Sequence, residues 1–385
     1  MEFTLTPQQE RFRQEVCAFF ADERVRKEVE EARRDPPGRE AGPLEVYRRL
    51  GERGWLAVNW PQEYGGLGRS LAEAAVVSEE MCLHGVPDLV HVLSIDIVGL
   101  FLLMAGTPQQ KRRHLPPLAR GEQTATVLYT EPEAGSDLAA LTTRAEPDGG
   151  GWRLYGRKVY SQKSQFADFA ICAARTSEAP VKYHGITLFL IPMKTPGVDV
   201  QPLWNLSNER FDDVTIDGLL VTASDALGPV DEGWQVINEV LSLERTGIDY
   251  QGRVRRWFGA VLERAAATGR LTDPAYAQRL VELDARIRAG RTLAWRVISK
   301  LERHELDDVA SAMSKWLNTE LAREVVRAGM DVEGLEGVLS SWDGEAPCGG
   351  LLEAVYRESP GQTISAGTSE VMLYVIAANG LRLYS

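Results

Sequence analysis

The sequence predicts a mainly α protein with a central β domain, and three observations support this. Residues 1–120 and 229–385 carry apolar residues at helical spacing, whereas residues 121–228 consist of short apolar or alternating runs separated by Gly, Pro and Asp. The chain has 385 residues, more than a single hydrophobic core usually supports. We therefore expect an N-terminal helical bundle, a β-barrel-like middle domain and a C-terminal four-helix bundle.

The N-terminal segment contains several helix signals. Thr6 is a suitable N-cap because a proline follows it at the first helical position. The apolar run 89–106 carries His91 and Asp96, which favours a buried core helix over a membrane span. The next helix is predicted to stop at Pro116–Pro117, since proline cannot donate to the helical ladder.

The middle segment contains at least six candidate strands. Glycine, proline and aspartate punctuate them, as in an all-β domain. The runs are TATVLYTE, WRLYGRKVYSQ, FADFAICAAR, GITLFLIPM, VDVQPL and DDVTIDGLLV.

The C-terminal segment returns to helical periodicity. Residues 233–269 form either one long helix or two nearly continuous helices, and two further helical runs follow. Glu244 has Val240 and Leu241 before it and Ile248 four residues after it, so on a continuous helix its carboxylate shares their apolar face.

Composition and charge exclude several classes of protein. The net charge of −12 argues against a non-specific nucleic-acid binder and suits a cytoplasmic protein. The N-terminus lacks the basic and apolar layout of a signal peptide, and no membrane association is expected. The four cysteines and five histidines are scattered, so neither a disulfide framework nor a metal site is predicted.

The most specific motif is TEPEAGSD, residues 130–137, at the end of a predicted strand. Its Gly-Ser-Asp turn offers backbone N–H donors and a hydroxyl group, which together suit an anion. A purely structural turn with an Asp cap is the alternative interpretation of the same residues.

Several motifs resemble the acyl-CoA dehydrogenase family in the same order. Besides TEPEAGSD they are LGERGWLAVNWPQEYGGLG, LYGRKVYSQKSQFAD, GITLFLIPMKTPGV and AGTSEVMLYVIAANGL. The resemblance implies FAD as cofactor. It also implies dehydrogenation of an acyl thioester, carried by coenzyme A or an acyl carrier protein, to the 2,3-enoyl thioester by α-proton abstraction and β-hydride transfer.

The resemblance also assigns cofactor and substrate contacts to the first motif. It places Tyr129 and Thr130 at the edge of the flavin ring system. Gly135 and Ser136 are expected to approach the FAD pyrophosphate, and Ser136 also the pantetheine of the thioester.

Further cofactor contacts are implied in the strand that follows and near the C-terminus. Tyr160 and Ser161 are expected on the other side of the flavin, where an aromatic side chain can stack. Thr368 and Glu370 are expected to contact FAD. The alternatives are an ordinary strand aromatic at Tyr160 and a helix N-cap at Thr368.

The catalytic base is predicted at Glu244. One branch of the family carries the base in a Glu-Gly-Thr triplet, but residues 366–368 here read Ala-Gly-Thr. A second branch, which includes isovaleryl- and long-chain-type members, carries it in an LxxER context, and residues 241–245 read LSLER. Arg245 is then expected near the pantetheine, or else at the surface. The alternative for Glu244 is an ion pair with a neighbouring arginine.

The chemistry of this assignment is coherent. A free glutamate has a pKa of about 4.3, which makes it a weak base for an α-proton. An apolar environment disfavours its charged form and raises the pKa. Hydrogen bonds to the thioester carbonyl would stabilise the developing enolate.

One departure from the family concerns assembly. The Arg-x-Gln-Phe-Gly stretch of many members, which reaches the FAD of a neighbouring subunit, is missing here, and residues 265–280 read AAATGRLTDPAYAQRL. A homodimer or homotetramer is expected, with a heteromer as alternative, and an electron-transferring flavoprotein as oxidant. Two other functions stay open, namely a flavin monooxygenase and a non-catalytic partner subunit.

Overall fold

The computed structural model describes residues 5–33, 44–87, 91–244 and 246–383, with only the backbone at residues 33 and 242–244. The chain forms two compact units. The first unit comprises residues 1–39, 70–87 and 245–385, and the second comprises residues 40–69 and 88–244. The N-terminal helices are therefore divided between the two units, and the three-segment division at residues 120 and 228 stays a prediction.

The described part of the first unit contains helices joined by turns and loops. Its helices are α1 (Pro7–Ala21), α2 (Glu23–Arg33), α4 (Leu71–His84), α8 (Ile248–Ala267), α9 (Pro274–Leu301), α10 (Asp308–Glu333), α11 (Leu351–Gln362) and α12 (Ser369–Val375). Thr6 caps α1 by accepting a hydrogen bond from the N–H of Gln9, with Pro7 at the first helical position, which confirms that prediction.

The second unit combines short helices with all the strands. Its helices are α3 (Glu45–Glu52), a π-helical segment (Val92–Gly99) continued by α5 (Leu100–Ala105), α6 (Pro108–Ala119) and α7 (Gly233–Glu244). Its strands are β1 (Ala125–Leu128), β2 (Arg144–Asp148), β3 (Gly151–Gln162), β4 (Phe169–Arg175), β5 (Ile186–Pro192), β6 (Val198–Trp204), β7 (Arg210–Thr222) and β8 (Ala226–Leu227).

The eight strands form one sheet in the order β6-β7-β3-β2-β4-β5-β8, and β1 pairs in parallel with β4. The β2 and β4 strands meet only at the pair Arg144–Arg175. Strands β6, β7, β3 and β2 form one half of the sheet, and β4, β5 and β8 form the other. The two halves therefore diverge from this pair. Strands β4 and β5 are buried over almost their full length, which explains their continuous apolar sequences.

The C-terminal helices share a large hydrophobic core. Helices α8, α9, α10 and α11 contribute its buried side chains, among them Val254, Trp257, Ile287, Val325 and Leu352. Helix α4 joins this bundle through Glu79, whose buried carboxylate accepts hydrogen bonds from Arg255 and Arg291. Helix α4 thus contacts both α8 and α9. The predicted architecture of N-terminal helices, a middle β domain and a C-terminal helical bundle is confirmed.

Two details of the helix predictions need revision. The Pro116–Pro117 pair does not stop α6, which continues to Ala119. The carbonyls that lose a helical partner are those of Arg112 and Arg113, and both residues are exposed, so water can satisfy those carbonyls.

The second revision concerns the long helical run. Of the two predicted alternatives it follows the second, since it consists of two helices, and Gly247 adopts a left-handed conformation with φ of 79° between α7 and α8. Ile248 therefore belongs to α8, and it packs with Ala72 and Ala294. The prediction that Ile248 shares a continuous helical face with Glu244 is wrong. None of the described helices is both long and apolar enough to cross a membrane.

Gly99 allows a close approach that the second unit requires. A Cβ atom at this position would lie 2.0 Å from Cζ2 of the buried Trp60 ring. We expect Gly99→Ala to lower the free energy of unfolding by about 1–3 kcal/mol, because the added methyl group would overlap a buried ring.

Gly259 on α8 is the matched control. Its Cβ position has no heavy atom within 4 Å. Gly259→Ala should raise the free energy of unfolding by about 0.5–1 kcal/mol through helix propensity. Urea unfolding of both variants measures the difference. If Gly99→Ala unfolds at the same free energy as Gly259→Ala, the close packing of Trp60 on Gly99 is contradicted.

Candidate active site

The ends of β1 and β3 run side by side and bring two groups of predicted site residues together. The N–H of Val159 donates to the carbonyl of Thr130 at 2.9 Å. The hydroxyl of Ser161 donates to the carbonyl of Val127 at 3.1 Å. Tyr129 and Thr130, which follow β1, therefore lie beside Tyr160 and Ser161 of β3.

Tyr160 is presented outward by a bulge in β3. Lys158 pairs with Val214 of β7, and Ser161 pairs with Asp212, so three steps along β3 oppose two along β7. Tyr160 has a φ of 57° and 62% of its surface is exposed. Such a conformation costs about 1–3 kcal/mol in a non-glycine residue, and it clusters at functional sites. An aromatic ring is thus held in solvent beside the end of β1.

Two of the predicted contacts can be made only by the backbone. The Ser161 hydroxyl is buried, donates to Val127, and accepts a hydrogen bond from Ser164 at 2.7 Å. The Tyr129 ring packs edge-on against Phe101 at a centroid distance of 6.1 Å. Both side chains therefore point into the unit, and only their peptide groups lie along the exposed edge.

The AGSD turn is open to solvent. Glu131 and Ala134 exchange backbone hydrogen bonds of 3.0 and 3.1 Å, which close the turn that precedes Gly135. A Cβ atom at Gly135 would have no heavy atom within 4 Å, and Ser136 is exposed. Asp137 is paired with Lys182 at 2.8 Å. The space at Gly135 and Ser136 fits a bound group that approaches the backbone.

A buried ion pair that the sequence analysis did not identify holds this turn. The ammonium of Lys158, which is 0% exposed, contacts the Glu131 carboxylate at 2.8 Å and the carbonyl of Tyr129 at 3.2 Å. Glu131 also accepts backbone hydrogen bonds from Thr142 and Thr143. The alternation of inward and outward residues along β3 could have predicted that Lys158 is buried, because it places this lysine at an inward position.

The charge of Glu131 is fixed by these partners. Burial raises the pKa of its carboxyl group, but the Lys158 ammonium and hydrogen bonds from Thr142 and Thr143 outweigh burial and lower that pKa to about 2. Glu131 is therefore ionised at neutral pH. It serves as a structural anion under the turn rather than as a proton acceptor.

Thr368 and Glu370 lie in the other compact unit, at the start of α12. Thr368 caps this helix by accepting a hydrogen bond from the N–H of Val371 at 3.3 Å. Hydrogen bonds from the backbone N–H of Glu370 and from the Thr368 hydroxyl lower the pKa of the Glu370 carboxyl group. The N-cap function is thus present, and it leaves Glu370 exposed.

Glu244, the predicted base, is only partly described, and Arg245, the predicted pantetheine contact, is not described. Glu244 is the last residue of α7, but its side chain lies outside the described part of the structure. Arg245 lies outside the described residues entirely. The role of each stays a prediction.

Comparisons with known proteins assign the chain to a family. Residues 6–122, 126–217 and 231–381 match the domains described as acyl-CoA dehydrogenase N-terminal, middle and C-terminal domain, respectively. The chain belongs to the acyl-CoA dehydrogenase family. It is therefore a flavoprotein oxidoreductase.

Individual acyl-CoA dehydrogenases match over the whole chain. The acyl-CoA dehydrogenase FadE26 of Mycobacterium tuberculosis is 30% identical, over 100% of this chain and 99% of the relative. A structure described as the Tcur3481-Tcur3483 steroid ACAD has a TM-score of 0.91 at 30% identity, with 99% of each chain covered. The ChsE4-ChsE5 complex from Mycobacterium tuberculosis has a TM-score of 0.85 at 27% identity, with 100% of each chain covered.

Proposed function

We propose that this acyl-CoA dehydrogenase family member oxidises an acyl thioester to the 2,3-enoyl thioester with FAD as the hydride acceptor. The observation that carries the proposal is the exposed edge where Tyr160, held on a bulge, lies beside Thr130. This edge combines an outward aromatic ring with free space at Gly135 and an exposed Ser136. Family membership supplies the general chemistry of acyl-thioester dehydrogenation.

The described residues fit the cofactor. The peptide groups of Tyr129 and Thr130 would face the flavin edge, and the Tyr160 ring would stack on it. The open turn at Gly135 and Ser136 would take the pyrophosphate through backbone N–H donors. Thr368 and Glu370, at the start of α12, are proposed as further FAD contacts. Bound FAD supplies the acceptor for the hydride that leaves Cβ.

Glu244 is the proposed base that takes the Cα proton. Ala366 has no proton-accepting group, so a carboxylate must come from elsewhere. Tyr250 of α8 lies close to the Ala366 loop, because its hydroxyl is 3.3 Å from the hydroxyl of Ser365. This proximity supports the proposal that Glu244 supplies the base in place of a carboxylate at position 366. Arg245 is the proposed contact to the pantetheine.

Assembly and electron transfer complete the proposal. An electron-transferring flavoprotein is the expected oxidant of the reduced enzyme. A homodimer or homotetramer is expected. Two relatives that each carry a double name, the Tcur3481-Tcur3483 steroid ACAD and the ChsE4-ChsE5 complex, support a heteromer as the alternative. In the first compact unit, Leu335, Val338 and Trp342 are strongly exposed, and their apolar surface supports assembly through this unit.

Anaerobic mixing with a panel of acyl thioesters tests the proposed function. The panel should include a short fatty acyl, a branched acyl and a steroid-bearing acyl thioester, because one relative is described as a steroid ACAD. We expect yellow, FAD-containing protein whose absorbance near 450 nm is bleached by at least one member.

Two results would support the other functions. Flavin that no thioester bleaches, but that reacts with oxygen after chemical reduction and hydroxylates a substrate, would indicate a monooxygenase. Protein that purifies without FAD and gains activity only with a second chain would indicate a partner subunit.

A further inference from the structure

The loop between α11 and α12, residues 363–369, is closed by its own backbone. Thr363 is the C-cap of α11, and its carbonyl accepts a hydrogen bond from the N–H of Ser369 at 2.9 Å. Between these two buried ends, Ala366 and Gly367 adopt left-handed conformations with φ of 52° and 94°. Such a conformation costs about 1–3 kcal/mol in a non-glycine residue and persists only where surrounding groups hold it. The loop therefore depends on contacts from the rest of its unit.

Helix α10 holds this loop through the ammonium group of Lys315. The residue is 1% exposed, and its Nζ atom donates to the carbonyl of Gly367 at 2.7 Å and to the carbonyl of Thr363 at 3.3 Å. One buried cation thus joins the start of the loop to the residue that follows Ala366. Burial of an ammonium group is costly unless it is hydrogen-bonded, so these contacts restrict both the lysine and the loop.

A second residue of α10 holds the end of the same loop. The carboxylate of Glu320 accepts a hydrogen bond from the hydroxyl of the buried Ser369 at 2.7 Å, and it pairs with Arg323 at 3.1 Å. Hydrogen bonds to an ionised acceptor are stronger than those between neutral groups. Lys315 and Glu320 together therefore hold the loop at positions 363, 367 and 369.

Thr368 lies between two of the positions that α10 holds. Its neighbours are Gly367, whose carbonyl is bound by Lys315, and Ser369, whose hydroxyl is bound by Glu320. Thr368 itself is only half-buried, and the residues on the outer side of the loop are exposed. An accessible side chain on a loop that is already ordered suits a ligand contact, because little further order is lost on binding.

We propose that Lys315 and Glu320 are positioning residues for FAD. By holding the backbone on both sides of Thr368, they fix the loop in the conformation in which Thr368 and Glu370 contact the cofactor. The inference rests on the proposed function, in which those two residues bind FAD. It goes beyond that function because it assigns the retention of FAD to two buried or half-buried side chains that are not themselves cofactor contacts.

Lys315→Met tests the proposal in the FAD-loaded protein. The protein is diluted, and the release of FAD is followed by the rise in fluorescence of the free cofactor. We expect release to be about 10-fold faster or more, since changes in affinity at one site appear mostly in the dissociation rate. Lys300→Met is the matched control, because Lys300 pairs with Asp307 at the start of α10, about two helical turns before Lys315. It should release FAD as wild type does.

Ser369→Ala is a second, milder variant, which keeps the lysine and removes only the contact to Glu320. It makes the test possible even if Lys315→Met does not fold. We expect FAD release to be about threefold faster, because the loop is then less well ordered before binding. Ser359→Ala is its control, since the buried Ser359 hydroxyl donates to the carbonyl of Tyr356 within α11. Equal release rates in these two serine variants would overturn the proposal.

A double-mutant cycle separates positioning from a general loss of stability. Thr368→Val alone should also accelerate FAD release. In combination with Lys315→Met, or with Ser369→Ala if the lysine variant does not fold, it should add less than about twofold, because Thr368 is then no longer held in place. Additive effects would overturn the proposal, and so would wild-type release in Thr368→Val or in folded Lys315→Met.

Failure of this inference can be distinguished from failure of the proposed function. If thioesters bleach the flavin and Lys315→Met releases FAD as wild type does, only the positioning role fails. If no thioester bleaches the flavin, the proposed reaction fails, and faster release from Lys315→Met than from Lys300→Met still supports the positioning role.

Discussion

Glu244→Gln is expected to lower the rate of flavin reduction by acyl thioesters by about 10²- to 10⁴-fold. The amide has nearly the same shape as the carboxylate but cannot accept the Cα proton. No carboxylate at position 366 can replace it, because that residue is alanine. The cofactor contacts proposed at Thr130, Tyr160 and Thr368 are untouched, so the protein should remain yellow.

The measurement is stopped-flow reduction under anaerobic conditions, with the FAD content determined from the visible spectrum. Glu239→Gln serves as the control, since Glu239 lies on the same helix, is exposed, and accepts a hydrogen bond from Gln235. It should behave as wild type. Reduction of the Glu244→Gln flavin at the wild-type rate would show that another group takes the proton.

Lys158→Met is expected to lower the free energy of unfolding by about 3–5 kcal/mol, because it leaves the Glu131 carboxylate buried without its counter-ion. The pKa of Glu131 should then rise, since the opposing effect of the ammonium is removed. The substitution also removes the hydrogen bond to the carbonyl of Tyr129. FAD binding should weaken as well, because this carbonyl and the AGSD turn are no longer held together.

Arg157→Met is the matched control for this effect. Arg157 is the preceding residue of β3, and its guanidinium pairs with Asp213 at the surface. An exposed pair contributes about 0–1 kcal/mol, so the control should unfold nearly as wild type does. The double variant Lys158→Met with Glu131→Leu should recover part of the stability, since no unpaired charge remains.

Urea unfolding and fluorescence titration with FAD measure the two effects separately. Equal losses of stability in Lys158→Met and Arg157→Met would show that the buried Lys158–Glu131 pair contributes no more to stability than the exposed Arg157–Asp213 pair. Normal FAD affinity in a folded Lys158→Met protein would show that the ion pair stabilises the unit without shaping the cofactor edge.

Local sequence signals predicted most of the elements. Thr6 and the proline after it mark the start of α1, and the alternating segments between residues 121 and 228 correspond to the strands of the middle sheet. These signals succeed because caps and periodicity depend on residues within a few positions of one another. The break at Gly247 was less evident, since an isolated glycine within a helical pattern is often tolerated.

Side-chain direction was harder to predict than position. The prediction placed Ser161 at the flavin, yet its hydroxyl is turned inward to Val127 and Ser164. The bulge that exposes Tyr160 depends on the register between β3 and β7, which no local pattern specifies.

The sequence by itself determined the order of helices and strands, the family, and the loss of a carboxylate at position 366. Only the tertiary structure decided that Lys158 neutralises Glu131 beneath the turn at Gly135, and that the Ser314 hydroxyl donates to the carbonyl of Thr246. The physical reason is distance along the chain. Helix caps and strand periodicity arise from neighbouring residues, whereas a buried ion pair or a hydrogen bond between remote segments forms only when the fold brings both partners out of water together.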